Sequence, residues 1–331
     1  MTTLVTPSIR GSGGEAADVL YESQALLTSE LTAAPMLIPG VLSQQDKIVC
    51  FAAPGVGKSI LAQQLASCLV SGKRFLHFDV PVNDDARVLY VAGEGDVDEL
   101  QSRGRRMGES LPVGENRLWY WPYPNLPMNT AAGFRQLVVF ALDVRPLLVI
   151  FDPIYALMKG SMREDEDAGD FLRNMNRLQQ VTGAAVMLTH HTHRPVRDDA
   201  GDVVEEGPES YFGSILWHAW ARTMWAMRRD GSDHHYVSMT CVKDRNRRSG
   251  FEREEMMLVE PSPLMFVERD KTLSATMHAI REVLKRRAMT LLEIEAVTER
   301  KRSTLYETLA AMKTRGIVIG DGAKPEHFTL A

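Results

Sequence analysis

The sequence predicts an α/β protein: a mostly parallel sheet covered on both faces, then a small separate C-terminal domain. Three observations carry this reading. A glycine-rich stretch, Cys50–Ser59 (CFAAPGVGKS), sits between an apolar run and a helical pattern. Further apolar runs alternate with helical segments, as strands buried on both faces do. Four of those runs end in polar groups, and ligands of such sheets gather at the carboxyl ends of the strands.

A chain of 331 residues suits one large domain and a small one. We place the N-terminal tail and leading helix at 1–34, the core at 35–270 and the last domain at 271–331. Cys50, Cys68 and Cys241 form no C-x-x-C pair, so buried thiols in a reducing, cytoplasmic setting are expected. No apolar run reaches the length of a membrane span, and a signal-peptide core is not expected. The net charge of −5 confines any nucleic-acid surface to a local patch.

In order, Met1 to about Asp18 reads as a mobile tail and Val19–Thr32 as a helix. Pro35–Gln44 is turn-rich. Strands are predicted at Ile48–Ala52, Arg87–Ala92, Pro146–Phe151 and Ala184–Leu188. Helices are predicted at Ile60–Leu69, Val97–Gly108, Thr130–Val144 and Phe171–Thr182. Leu111–Asn129, with its prolines, reads as a loop holding one short strand. Arg194–Glu209 is polar and reads as a mobile loop. Tyr211–Met227 reads as a helix and then a strand. Tyr236–Lys243 and Glu255–Val259 read as antiparallel strands flanking a basic turn, Asp244–Gly250.

The glycine-rich stretch fits G-x-x-x-x-G-K-[ST], a P-loop for ATP, with Ala52 in place of the first glycine. Ala53, Pro54, Gly55, Val56 and Gly57 would cradle phosphate with backbone N–H groups, and Lys58, Ser59 and Ile60 open the helix. Lys58 would reach the β/γ-phosphates and Ser59 would ligate Mg²⁺. Asp152 ends a strand where a carboxylate holds the Mg²⁺ shell; capping the next segment is its alternative role. Glu94 is the candidate general base, with Asp96 as rival. His190 and His191 could hydrogen-bond the γ-phosphate or the attacking water. His190, His191 and His193 also suggest metal, but adjacent strand residues point to opposite faces. Lys243, Arg245, Arg247 and Arg248 form either a surface cluster or a cation supply for a neighbouring subunit.

Together these motifs make the chain from about Pro35 to Val267 resemble the RecA-like core of the RepA-type plasmid replicative helicases, within the wider group of DnaB-type helicases and recombinases. The similar stretches are Pro39–Leu42, Ala52–Ser59, Ala92–Glu94, Ile150–Pro153, Leu188–His191, Gly213-Ser214 with Arg222, and Val242–Arg245. The resemblance implies Glu94 as base, a strand-end His as phosphate sensor and Lys243 and Arg245 reaching across a subunit interface. It implies a homo-hexameric ring with ATP between subunits and DNA, contacted by residues such as Arg194 and Arg222, through its centre. Phe212 stands where that family more often has Arg.

Ala275–Arg287, Leu291–Val297 and Ser303–Arg315 read as three helices, Ser303 capping the third, with a hairpin of Ile317–Ile319 and His327–Leu330. Three helices and a hairpin make a winged helix-turn-helix. Arg300, Lys301, Arg302 and Thr304 open its third helix, where DNA contacts are made; docking of protein is the other reading. The expectation is a DNA-dependent, helicase-like ATPase of plasmid, phage or mobile-element replication. A recombination or annealing ATPase and an ATP-switched DNA-binding regulator are the alternatives.

Overall fold

The computed structural model describes residues 23–28, 34–192, 214–229, 235–245, 250–260, 262–270 and 272–331. The expected tail, the loop Arg194–Glu209 and Arg247 and Arg248 lie outside the described residues. Within them α1 (Ser23–Thr28) is helical, and β1 (Met36–Ile38) and β2 (Leu42–Ser43) pair antiparallel. The core then runs β3 (Lys47–Ala52), α2 (Lys58–Ser71), β4 (Val88–Ala92), α3 (Val97–Gly108), β5 (Leu118–Pro122), α4 (Ala131–Val144) and β6 (Leu148–Asp152). A 3₁₀ turn, Ile154–Leu157, leads to α5 (Asp165–Thr182), β7 (Ala185–His191), α6 (Ile215–Trp220) and β8 (Thr223–Arg229). Three strands close the core: β9 (Tyr236–Asp244), β10 (Arg253–Val259) and β11 (Met265–Glu268).

These strands form one nine-stranded sheet in the order β11-β10-β9-β8-β3-β7-β6-β4-β5. From β8 to β5 every pairing is parallel; from β8 outward to β11 every pairing is antiparallel. β3 is central, between β7 and β8. One face packs Leu61 and Leu65 of α2 against Tyr90, Met187 and Phe266. The other packs Leu137 of α4, Phe171 and Met175 of α5 and Trp217 of α6 against Val149 and Leu188. The central strands are buried on both faces, which is why they read as unbroken apolar runs. Cys50 and Cys68 are buried free thiols, and burial pushes Cys50 up to about 12.

Several elements differ from expectation. β7 runs on to His191 because Phe51 and Ala52 of β3 continue to pair with His190 and His191. α5 starts earlier, at Asp165, where three acidic residues favour the helix N-terminus. β11 was not expected from the sequence. Its outer edge is covered by α2: the Gln64 amide donates to the Phe266 carbonyl at 2.8 Å and accepts from the Phe266 N–H at 2.7 Å. A buried glutamine thus completes the pairing of an edge strand.

The C-terminal unit comprises α7 (Ala275–Leu284), β12 (Met289–Thr290), α8 (Leu291–Thr298), α9 (Arg302–Thr314), β13 (Val318–Gly320) and β14 (His327–Leu330). Its strands form a separate antiparallel sheet, β12-β14-β13, over a core of Ile280, Ile294, Leu305, Leu309 and Phe328. Thr290 and Glu293 form a capping box that starts α8. Ser303 does not cap α9; the helix begins at Arg302, with Lys301 at the cap and no side-chain cap bond. Ala279 packs with Met257, Val259 and Val267 at the junction with the large sheet. Among the described residues no helix is long and apolar enough to cross a membrane.

Replacing Gln64 by Leu keeps the volume but leaves the Phe266 N–H and C=O buried without partners. The expected loss is about 2 kcal/mol, at the scale of an abandoned buried hydrogen-bonding group. Denaturant unfolding of the Gln64→Leu protein, followed beside the parent, measures it.

Candidate functional site

The glycine-rich turn leaves β3 at Ala52 and enters α2 at Lys58. Gly55 and Gly57 adopt φ of +77° and +105°, a region that side chains disfavour. At Gly57 space adds to the constraint: a Cβ there would lie 2.7 Å from the Phe266 ring. β11 therefore forms the floor of this turn. No side chain caps α2, so its first-turn N–H groups face the turn without a capping oxygen.

Lys58 is buried, and its ammonium donates to the carbonyls of Ala52 at 2.9 Å and Ala53 at 3.1 Å. It lies 3.0 Å from Nδ1 of His191. An ammonium only donates, so Nδ1 accepts and the ring proton sits on Nε2. That Nε2 faces the Glu94 carboxylate at 3.9 Å. The Tyr155 ring packs on His191, with centroids 5.4 Å apart. Burial, then the Lys58 charge, holds His191 below the ordinary histidine range, which keeps it neutral. Burial, then Asp152, raises Glu94. Burial lowers Lys58, while the carboxylates of Asp152 and Glu94 pull it back up.

Asp152 ends β6 two strands from the turn, with β7 between. Its buried carboxylate accepts from the Tyr90 hydroxyl on one oxygen and the Thr189 hydroxyl on the other. The capping role is excluded: the 3₁₀ turn that follows has Pro153 at its cap and no side-chain bond. Asp96, the rival to Glu94, is occupied as the N-cap of α3, accepting from the Glu99 N–H at 2.7 Å. Glu94 instead sits beyond the end of β4, facing His191.

The two histidines separate, as a strand requires. His191 joins Lys58 and Glu94. His190 lies on the other face, where its ring packs against Trp217 at 6.2 Å and Nδ1 donates to the His191 carbonyl at 2.6 Å. The expectation that both histidines meet phosphate is corrected for His190. No group of three metal-ligating side chains occurs among the described residues.

Lys243 and Arg245 lie at the other end of the sheet. Lys243 pairs with Met224 near the start of β8, and its ammonium donates to the His218 carbonyl. The Arg245 N–H donates to the Arg222 carbonyl at 3.0 Å. The positive charges of Arg222 and Arg245 help to lower Lys47, which burial lowers most. The side chains of Lys243 and Arg245 therefore start at least about 10 Å below the end of β3, counted along the strands. Arg194 lies outside the described residues. Arg300 is half-buried: its guanidinium donates to the Glu260 carbonyl at 2.9 Å and ties the last unit to the core. Lys301, Arg302 and Thr304 are exposed at the start of α9.

Tyr90, Thr189, Tyr155 and Arg229 escaped the sequence reading. Only Thr189 left a trace there, as a polar residue inside an apolar strand beside the histidines. Arg229, at the end of β8, donates to the Gly55 carbonyl at 2.8 Å.

The Tyr90→Phe protein keeps the ring and removes one donor from the buried Asp152 carboxylate. A loss of about 1.5–3 kcal/mol in stability is expected, as for hydrogen bonds to charged groups. Denaturant unfolding without nucleotide checks it, and an unchanged midpoint contradicts the contact's importance.

Residues 16–195 match the family model described as an AAA domain, more than half of the chain. The matched span holds the glycine-rich turn, Glu94, Asp152 and His191, and ends before Arg222, Lys243, Arg245 and the C-terminal unit. No curated protein matches the chain. Glycine-rich turn, buried lysine and strand-end carboxylates agree with that match, and the chain belongs to the AAA domain family of P-loop ATPases.

Proposed function

We propose that this ATPase is a DNA-dependent motor, helicase-like, whose subunits share ATP sites in a homo-oligomeric ring, expected to be a hexamer. The observation that carries the reading is the separation of cations from chemistry. Lys243, Arg245 and Arg222 cluster at the amino end of the parallel strands, while Lys58, Glu94, Asp152 and His191 meet at the carboxyl end. A cation on the far edge cannot serve its own site but can serve a neighbour's. The C-terminal unit, three helices and an antiparallel sheet with Lys301, Arg302 and Thr304 exposed, supports a winged helix that contacts DNA.

The donor set at the turn fits ATP with Mg²⁺: two glycines at positive φ, a buried lysine, Ser59 in the first turn and an ionisable Asp152 fixed by two hydroxyls. Mg²⁺, when bound, supplies charge neutralisation at the β- and γ-phosphates. Lys58 places an ammonium at the phosphates. Ser59 and Asp152 would hold the ion, directly and through water. Glu94 takes the proton of the attacking water. Neutral His191 sits between Glu94 and Lys58, where its Nε2–H can donate to phosphate or to that water.

Lys58→Ala should abolish nucleotide binding, whereas Glu94→Gln should bind ATP and lose most turnover. A carboxylate base works only when deprotonated, and Glu94 is raised above the usual 4.5. Turnover should therefore fall on acidification at a pH above the ordinary glutamate range. Steady-state rates across pH check this, and parental turnover in Glu94→Gln overturns the assignment.

The shared site has its own test. Arg245→Ala should bind ATP and hydrolyse it on the order of 10³-fold more slowly. Mixing Arg245→Ala with Glu94→Gln, once subunit exchange is demonstrated, should restore activity at interfaces that join an intact Glu94 to an intact Arg245. Mixed assemblies as inactive as either parent variant refute the shared site.

A further inference from the structure

We propose that Arg229 is a positioning residue that sets the shape of the P-loop from outside it, an inference resting on the nucleotide-binding reading of that turn. β8 lies parallel to β3, with Ala226 opposite Phe51. Continuing that register carries Arg229 level with the turn. Its exposed guanidinium donates to the Gly55 carbonyl at 2.8 Å, and a Cβ built on Gly55 would touch the same nitrogen at 3.4 Å.

The consequence follows from peptide geometry. In a planar trans peptide the C=O and the next N–H point in opposite directions. Holding the Gly55 carbonyl outward, against Arg229, aims the Val56 N–H inward, toward the phosphate cradle. Gly55, at a φ of +77°, has no side chain to hold its ψ, so this peptide plane can tilt unless a contact fixes it. Lys58 fixes the carbonyls of Ala52 and Ala53 at the start of the turn. Phe266 packs beneath Gly57 at its end. Arg229 supplies the fixing contact at the apex. It touches backbone, so its effect concerns any phosphate chain in the cradle, not the γ-phosphate alone.

The experiment measures binding of a fluorescent ADP, a non-hydrolysable ATP analogue and inorganic pyrophosphate to the full-length protein, its Arg229→Ala and Arg229→Lys variants, and Lys58→Ala. In Arg229→Ala, all three ligands should weaken together by about tenfold, the scale of one charge-assisted hydrogen bond. Arg229→Lys, which keeps one donor, should fall between. KM for ATP should rise while kcat at saturation stays within about twofold, since the geometry is restored once ligand is bound. Unchanged affinities in Arg229→Ala, with Lys58→Ala unable to bind, overturn the inference and leave the P-loop reading intact. Loss confined to the ATP analogue also overturns it, because that outcome means direct contact with the γ-phosphate. Full binding by Lys58→Ala removes the P-loop reading itself, and this inference with it.

Discussion

The buried ammonium of Lys58 is the constraint around which the rest is built. A cation in an apolar interior is strongly unfavourable unless its surroundings answer the charge. Here the answer is made of dipoles: two turn carbonyls and one imidazole nitrogen touch it. The carboxylates of Asp152 and Glu94 act from further off, raising a lysine that burial lowers. Such a site favours an anion that can bring full negative charge to the ammonium. On the proposed reading, phosphate recognition is a consequence of how the lysine is buried.

Everything near Lys58 is arranged to keep that geometry. β7 brings His191, whose tautomer is set by the lysine it accepts from. β6 and β4 bring Asp152 and Tyr90 into register, since Ala92 pairs with Asp152 and Tyr90 with Ile150. Two hydroxyl donors then fix the buried carboxylate. On the opposite flank β11 presses Phe266 under Gly57, and Gln64 locks β11 to the helix that Lys58 begins. Because β11 leads directly into the C-terminal unit, the floor of the P-loop and that unit are neighbours in the chain.

The central strands, the order of helices and the P-loop were legible from sequence because each rests on local signals. Near-continuous apolar runs mark strands covered on both faces, and Ile48–Ala52, Arg87–Ala92 and Pro146–Phe151 fell within a residue or two of β3, β4 and β6. The α3 span matched because its helical pattern and acidic start lie in the chain itself. Lys58, Glu94, Asp152 and His191 could each be named because parallel strands deliver their last residues to one edge.

What the sequence could not decide depends on partners distant along the chain. β11 is four residues that carry no pattern of their own; its place was decided by Gln64, 202 positions away from Phe266. The choice between His190 and His191 required the facing of β7, since the dipeptide reads the same in either register. Asp96 stayed a rival to Glu94 until α3 claimed it as its cap. Arg300 read as a groove contact until the packing of α7 on β10 brought it beside the Glu260 carbonyl. Arg229 was one arginine among many until the parallel pairing of β8 with β3 set it against the P-loop. Local chemistry named the groups, and strand register and packing decided which of them meet.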